Sequence, residues 1–215
     1  MIHNLSLTTS IFSTFLGELR DCDIQRDPMR FRRNLERVAE VLGYELSKQL
    51  DYKVVEVTTP LGEASVQMLK QQPVLATILR AGLPMHQGLL NMFDRAESAF
   101  VSAYRKHTTT EDFDIYVEYM ASPSLDGKTL IISDPMLATG NSMVMVYKSL
   151  LKHGKPSKVH IVAAIAAPEA IEFVQMHLPD TVAIWVGAID KELTAQSYIV
   201  PGLGDAGDLA FGVKC

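Results

Sequence analysis

Cysteine is scarce in this sequence of 215 residues: Cys22 and Cys215 lie near opposite ends. Two cysteines placed in this way exclude a disulfide framework and the close spacing of a zinc site. The six histidines are scattered along the chain, so they suggest no metal cluster either. A reduced compartment fits this usage best, and we expect a cytoplasmic protein.

Long apolar runs and an excess of positive charge are also missing. No stretch reaches the ~18 consecutive apolar residues of a membrane span. The first fifteen residues lack the basic segment of a secretory signal. The formal net charge is −5, so the chain as a whole lacks the basic footprint of nucleic-acid binding. We therefore expect neither a membrane nor a nucleic acid as partner.

Hydrophobic residues, in contrast, make up 47% of the chain, enough to build a large core. There is no internal repeat, low-complexity tract or linker. The length and this uniformity predict a single domain over residues 1–215.

The first strong element is a helix, with Asp27 as N-cap and Pro28 as its first residue. An apolar stripe follows at steps of three and four residues, formed by Phe31, Leu35, Val38, Leu42 and Leu46. Basic residues lie mostly off the stripe, namely Arg30, Arg32, Arg33, Arg37 and Lys48. They indicate a solvated basic face, with an oligomer contact as the alternative.

Apolar runs and helical segments alternate after this helix. The runs without polar alternation, typical of strands covered on both faces, are 74–79, 99–104, 129–132, 159–165 and 182–186. Helical segments at 142–152 and 168–176 fit between them. The pattern predicts a doubly wound α/β fold with a mainly parallel sheet and ligands at the carboxyl ends of its strands.

Residues 113–120 break this pattern, because apolar and polar residues alternate with period two. Such alternation predicts a half-exposed antiparallel strand, in a hairpin or flap standing off the main sheet. The polar stretch 106–112 leads into it and is a candidate lid, with the whole flap at about 105–125.

The segment TLIISDPMLATGNS at 129–142 predicts a phosphate site. Asp134 ends a buried strand, and Ala138, Thr139 and Gly140 precede a helix. Small residues let backbone N–H groups converge on an anion, and the helix adds its positive end. Asp134 can accept hydrogen bonds from sugar hydroxyls. The alternative is that Asp134 and Ser142 only cap the helix. A P-loop is excluded, because its spacing and lysine are missing.

Arginines follow two other strands, Arg80 in ILRAGLP and Arg105 in AYRK. An arginine at a strand end can bind a phosphate with two hydrogen bonds, although an ordinary surface arginine is the alternative for Arg80. Basic residues beside a phosphate loop would concentrate positive charge on a polyanionic substrate.

The C-terminal segment YIVPGLGDAGDLAFG contains a literal GxGxxG from Gly202 to Gly207. A dinucleotide site is excluded, because eight residues cannot hold the helix and strand that must follow. A glycine-rich turn suits a backbone that approaches a flat ligand, and its polar groups could read the imide edge of a pyrimidine. A plain closing loop is the alternative.

Together these segments resemble the uracil phosphoribosyltransferase family, from about 59 to 212. The motifs are ILRAGL at 78–83, YR at 104–105, DPMLATGNS at 134–142, AAPE at 166–169 and YIVPGLGDAGD at 198–208. The resemblance implies the type I phosphoribosyltransferase fold with a C-terminal uracil-binding loop at about 194–212. It implies transfer of phosphoribose from 5-phosphoribosyl-1-pyrophosphate (PRPP) to N1 of uracil, giving UMP and pyrophosphate.

The resemblance also implies roles for single residues. Arg80, Arg105, Asp134 and Asp205 would be the catalytic set. Uracil would lie against Ile199, Gly204, Asp205 and Ala206. PRPP would be bound by Arg80, Arg105 and Asp205 and by the whole loop of Asp134, Pro135, Met136, Leu137, Ala138, Thr139, Gly140, Asn141 and Ser142. Mg²⁺ would arrive with PRPP rather than on protein ligands, and a homodimer or higher oligomer is usual in similar enzymes.

Three features depart from the family pattern. Asn141 stands where the family usually has glycine, the flap is far from the usual acid-rich sequence, and the segment GDLAFGVKC at 207–215 lacks the basic residue that is common after GD. Two rival hypotheses are an enzyme of the same fold that uses a purine or orotate, and a non-catalytic regulator that senses nucleotides and binds RNA.

Overall fold

The structure is a computed structural model that describes residues 1–107 and 113–214, with side chains described outside 103–117. The helices are α1 (Ile11–Arg20), α2 (Pro28–Ser47), α3 (Leu83–Met92), α4 (Asn141–Leu150), α5 (Pro168–His177) and α6 (Ala206–Phe211). The strands are β1 (Ile2–Asn4), β2 (Tyr52–Thr59), β3 (Gly62–Leu69), β4 (Val74–Leu79), β5 (Glu97–His107), β6 (Phe113–Ala121), β7 (Thr129–Ser133), β8 (Met136–Leu137), β9 (Lys158–Ala166), β10 (Ala183–Ile189), β11 (Glu192–Leu193) and β12 (Ile199–Val200).

The main sheet has the strand order β1-β10-β9-β7-β4-β5-β6, and β8 pairs with the end of β9. Neighbouring strands are parallel except β6, which runs antiparallel to β5. The predicted α/β fold with a mainly parallel sheet is confirmed. Every residue of β9 after its first is buried, because helices cover both faces of the sheet.

Helix α2 begins where the sequence predicts. The Asp27 carboxylate accepts hydrogen bonds from the N–H groups of Met29 and Arg30, and Pro28 occupies the first turn. All five residues of the apolar stripe are buried. This stripe packs into the hydrophobic core, and α2 also packs against α1 and α3.

The basic residues of α2 form intramolecular contacts rather than a freely solvated face. Arg30 pairs with Glu18 on α1, and Arg33 pairs with Glu36. Arg32 donates to the carbonyl oxygen of Ala210 on α6 at 2.7 Å. The predicted basic face is therefore only partly solvated: Arg30 and Arg33 stay 41% and 48% exposed, while Arg32 connects α2 to α6.

Strand β6 is antiparallel as predicted and forms a hairpin with β5. The part of this hairpin at Phe100–Ser102 lies at the edge of the main sheet, whereas residues 103–107 and 113–117 pair only with each other and extend beyond β4. The prediction of a hairpin that stands off the sheet is therefore confirmed for its far half. Strands β2 and β3 form a separate two-stranded antiparallel hairpin that was not predicted. Their alternation is visible afterwards in Val55, Val57, Ala64 and Val66, around a turn at 60–61.

The order of the strands marks where a ligand site is expected. From β4 the chain moves outward to β5, then returns to the other side of β4 at β7. Such a switch point leaves a crevice at the carboxyl ends of the two strands. Arg80 follows β4 and Asp134 follows β7, so both predicted residues lie at this crevice. Within the described ranges, no helix is long and apolar enough to cross a membrane.

Candidate active site

The loop after β7 runs from Asp134 to Gly140. Met136 and Leu137 pair with the end of β9, and the Asp134 N–H donates to the Val162 carbonyl at 3.1 Å. Helix α4 starts at Asn141, and its N-cap is Gly140, which has no side chain to cap it. The alternative that Asp134 and Ser142 merely cap the helix is therefore not what the structure has. The positive end of α4 remains available to an anion.

Gly140 fixes the shape of this loop. Its φ of +81° lies in the left-handed region, and a Cβ there would meet the Ala170 carbonyl oxygen at 3.0 Å and Phe173 at 3.1 Å. The turn can therefore hold its position against α5 only with glycine. Asn141, the departure from the family pattern, comes after this strained position and lies in the helix.

We expect Gly140→Ala to destabilise the fold by about 1–3 kcal/mol and to raise the KM for PRPP about tenfold or more. Gly127→Ala is the matched control, because Gly127 has a similar φ of +68° but open space around its Cβ. Thermal unfolding and initial rates check both variants. An equal effect of the two substitutions on the KM for PRPP would contradict a special role for the Gly140 turn.

Asp134 has an unusual electrostatic environment. Burial raises the pKa of its carboxyl to about 7, and a hydrogen bond from the Met136 N–H, at 3.4 Å, opposes the rise only weakly. The group therefore titrates near neutral pH in the free protein. A carboxyl perturbed in this way at the tip of a central strand is typical of a functional site.

Arg80 is held by the C-terminal segment. Its Nη2 donates to Asp208 Oδ1 at 3.2 Å, and Nη1 and Nη2 both lie 3.4 Å from the Gly212 carbonyl oxygen. The side chain stays 40% exposed, so a ligand can reach it. An anion that binds Arg80 has to compete with one carboxylate and one carbonyl.

The C-terminal loop returns the chain to the same crevice. Gly202 and Gly204 have φ values of +63° and +87°, and a Cβ on Gly202 would lie 2.1 Å from the Ile199 carbonyl oxygen. Asp205 then caps α6 by accepting the Asp208 N–H at 2.9 Å. After these two turns the chain reaches Arg80 at Gly207, where a Cβ would lie 3.9 Å from Arg80 Nη2.

A cavity of about 620 Å³ joins the three segments. Seven of the predicted residues line it: Arg80, Asp134, Met136, Ala138, Ser142, Asp205 and Ala206. A recess of about 50 Å³ beside it is lined by Leu137, Thr139 and Gly140 as well. The strand ends and the loop thus form one site, in which positive and negative side chains face the same space.

Other predicted residues lie away from the cavity. Ile199 is buried beneath the loop, Pro135 is buried, and neither they nor Asn141 and Gly204 line the cavity wall. The side chain of Arg105 and most of the predicted lid at 106–112 lie outside the described residues.

Several lining residues were missed by the sequence analysis. Ser102 on β5, the turn Gln196–Tyr198 and Lys214 all face the cavity. Lys214 Nζ lies 3.9 Å from Asp205 Oδ2 and brings a cation close to a segment that lacks the family's usual basic residue. No pattern in the sequence pointed to Lys214, whereas the turn at 196–198 lies inside the loop predicted at about 194–212, and Tyr198 is the first residue of the motif at 198–208.

A larger cleft, of about 970 Å³, opens near Asp126, Lys155, Lys158 and Val182. These residues lie at the amino ends of β7, β9 and β10, opposite the crevice. None of the predicted site residues lines it. Because α/β sheets of this type bind ligands at the carboxyl ends of their strands, the smaller cavity is the candidate site.

Solved structures define the class of this fold. The AQ2163 protein from Aquifex aeolicus matches with a TM-score of 0.88 and 32% identity, covering 99% of both chains. A hypoxanthine phosphoribosyltransferase from Staphylococcus aureus shares the fold with a TM-score of 0.52, at 18% identity over 75% of this chain and 76% of that chain. The fold is that of the type I phosphoribosyltransferases.

Sequence comparison gives the family. The family model for uracil phosphoribosyltransferase matches residues 6–213. A uracil phosphoribosyltransferase from Porphyromonas gingivalis is 54% identical over 214 residues, covering 100% of this chain and 99% of that protein. This chain belongs to the uracil phosphoribosyltransferase family, as the resemblance of its motifs implied.

Proposed function

We propose that this chain transfers the 5-phosphoribosyl group of PRPP to N1 of uracil and releases UMP and pyrophosphate, in pyrimidine salvage. One observation carries the proposal. The phosphate loop after β7, Arg80 after β4 and the C-terminal turn at Asp205 and Ala206 line a single cavity at the switch point of the sheet. The phosphate loop and Arg80 would contact a polyanionic sugar, and the C-terminal turn would contact a flat base.

The loop from Asp134 to Ser142 would bind the ribose 5-phosphate. The start of α4, whose N-cap Gly140 has no side chain, supplies N–H groups and a partial positive charge for the phosphate. The Asp134 carboxylate would accept hydrogen bonds from ribose hydroxyls. Arg80 and Arg105 would bind the pyrophosphate, for which Arg80 would exchange Asp208 for phosphate oxygens.

The C-terminal turn would read uracil. The imide edge of uracil alternates acceptor, donor and acceptor, and the backbone of Gly204, Asp205 and Ala206 offers both N–H and C=O groups. Ile199, whose carbonyl packs against Gly202, would support that edge from below. Readout by backbone groups requires the turn to keep a fixed position relative to the bound sugar.

The reaction would break the bond between C1 and pyrophosphate through an oxocarbenium-like state. Uracil N1 would then form the new bond on the opposite face, and its proton would leave with the departing pyrophosphate. The carboxylate of Asp134 would stabilise positive charge on the sugar, and Arg80 would stabilise the departing pyrophosphate. Closure of the segment at 106–112 would exclude water.

Mg²⁺ fits the chemistry of this site as a companion of PRPP. Among the residues whose side chains the structure describes, no three His, Cys, Asp or Glu side chains come together as a metal site. Asp134 and Asp205 do line the cavity, and Mg²⁺ prefers a few carboxylate oxygens together with phosphate and water. The ion would neutralise the charge of the pyrophosphate.

The remaining parts of the proposal are one domain over residues 1–215, a cytoplasmic setting and a homodimer or higher oligomer. Exposed apolar side chains on the β2–β3 hairpin support self-association, since Val54 is 60% exposed and Leu61 99% exposed. Sedimentation velocity tests the assembly, and a monomer at micromolar concentration would contradict it.

The reaction is tested by incubating labelled bases with PRPP and Mg²⁺ and identifying the nucleotide formed. We expect UMP from uracil and no nucleotide from hypoxanthine, guanine, adenine or orotate. Asp134→Asn is the control for the site and should remove most of the product. A purine nucleotide would contradict the base assignment, and no product from any base would favour the nucleotide-sensing regulator.

A further inference from the structure

The C-terminal loop is attached to the rest of the protein through an ion pair between a buried carboxylate and a partly buried guanidinium. Arg20, the last residue of α1, binds Asp190 with two hydrogen bonds, Nη1 to Oδ2 at 2.8 Å and Nη2 to Oδ1 at 2.6 Å. The Asp190 side chain is 5% exposed and that of Arg20 is 23% exposed. Neither residue lines the cavity.

Both charged groups also contact the backbone of one loop residue. The Gly202 N–H donates to Asp190 Oδ2 at 2.9 Å, and the Gly202 carbonyl accepts from Arg20 Nη1 at 2.9 Å. The two polar groups of a residue with φ of +63° are therefore both held by side chains from other elements.

Arg20 and Asp190, which together form a clamp on Gly202, are each anchored to a regular element of the fold. Asp190 directly follows β10, and its N–H donates to the Ala166 carbonyl at the end of β9 at 2.9 Å. Arg20 belongs to α1, which packs on α2. Because Gly202 lies two residues before Gly204 and three before Asp205, its position determines where the base-reading turn begins.

The contribution of this ion pair to the stability of the fold does not explain why a charged pair occupies the position. Removing two charges from water is costly, and an apolar pair of similar size is often as stable. A bidentate pair does, however, fix distance and direction better than apolar contacts do. We propose that Arg20 and Asp190 are positioning residues, which hold the Gly202 backbone so that Gly204–Ala206 meet uracil in register with PRPP. This inference rests on the proposed role of that turn in binding uracil.

The test compares two bidentate ion pairs of the same chain. Asp190→Asn weakens the clamp, and we expect the KM for uracil to rise about tenfold or more while the KM for PRPP changes less than about twofold. Glu18→Gln is the matched control, since Glu18 accepts two hydrogen bonds from Arg30 at 2.7 Å, away from the cavity. It should lower the melting temperature and leave the KM for uracil unchanged.

A double variant separates positioning from folding. Arg20→Met combined with Asp190→Leu leaves no unpaired buried charge, so it should melt at a higher temperature than Asp190→Asn. The KM for uracil should nevertheless stay raised, because nothing holds Gly202. Recovery of a normal KM together with the melting temperature would overturn the inference and leave only a structural role.

Hydrogen exchange makes the inference independent of the reaction. In the protein without substrates, Asp190→Asn should speed exchange across residues 199–208, and Glu18→Gln should not. If Asp190→Asn exchanges faster but the wild-type protein forms no UMP, the positioning role of Arg20 and Asp190 is supported and the proposed reaction is rejected. Unchanged exchange, or an unchanged KM for uracil in Asp190→Asn, would overturn the inference.

Discussion

Replacing Asp134 by asparagine should make the free protein more stable at pH 8 and almost inactive. The free energy of unfolding should rise by at most about 4 kcal/mol, because each pH unit of displacement of the pKa corresponds to about 1.4 kcal/mol. The rate of UMP formation should fall about 10²–10³-fold, as when one electrostatic contact to a transition state is removed. A stability gain at the expense of activity is typical of functional carboxylates.

The gain should depend on pH in a defined direction. The pKa of Asp134 is about 7 in the folded protein and near 3.8 when unfolded. Below about pH 4 both states are protonated, and the carboxyl costs the fold nothing. Between pH 4 and 7 the unfolded state loses its proton first, so wild-type stability falls as pH rises and levels off above pH 7. The asparagine variant should lack this fall.

Urea unfolding of both proteins at pH 4, 6 and 8, without substrates, measures the difference. Asp51→Asn is the control: a hydrogen bond from Lys158 at 2.8 Å lowers the pKa of Asp51, so its loss should give no gain. Equal stability of wild type and Asp134→Asn at pH 8 would show that Asp134 is ionised without penalty.

Replacing Arg80 by glutamine should lower kcat/KM for PRPP about 10²–10³-fold, because a bidentate, charge-assisted contact to the pyrophosphate is lost. Arg80→Lys should lose less, about tenfold, since lysine keeps the charge but not the planar pair of donors. The KM for uracil should change little in both variants. The stability of the fold should also change little, because the Arg80 side chain is 40% exposed.

Initial rates at varied PRPP check this order. Arg33→Gln serves as the control, because Arg33 also pairs with a carboxylate, Glu36, but lies on α2 away from the cavity. It should retain kcat/KM within about twofold. An Arg80→Gln variant with wild-type kcat/KM for PRPP would remove Arg80 from the site.

Most of the fold could be predicted from local patterns in the sequence. The stripe of α2 and the strands β4, β7 and β9 were predicted because burial imposes a period or an unbroken apolar run. The phosphate loop was predicted because a strand, a small-residue turn and a helix follow one another within fourteen residues. Such signals lie in neighbouring residues, so a single sequence contains them.

Contacts between residues far apart in the sequence could not be predicted from it. Residues 113–120 predict an antiparallel strand, but nothing in them says that β5 is the partner. Arg20 and Asp190 are 170 residues apart, and Arg20 looks like an ordinary arginine at the end of a helix. Their contact depends on how α1 packs against the carboxyl end of β10, which no local pattern specifies.

The central claim is that uracil and phosphoribose meet in the cavity between the Asp134 loop and the C-terminal turn. A crystal structure with bound UMP tests it most directly. We predict the phosphate at the start of α4, the ribose hydroxyls on Asp134 and the imide edge of uracil on the backbone of Gly204–Ala206. UMP bound instead in the larger cleft near Lys155 and Lys158, with this cavity empty, would contradict the account.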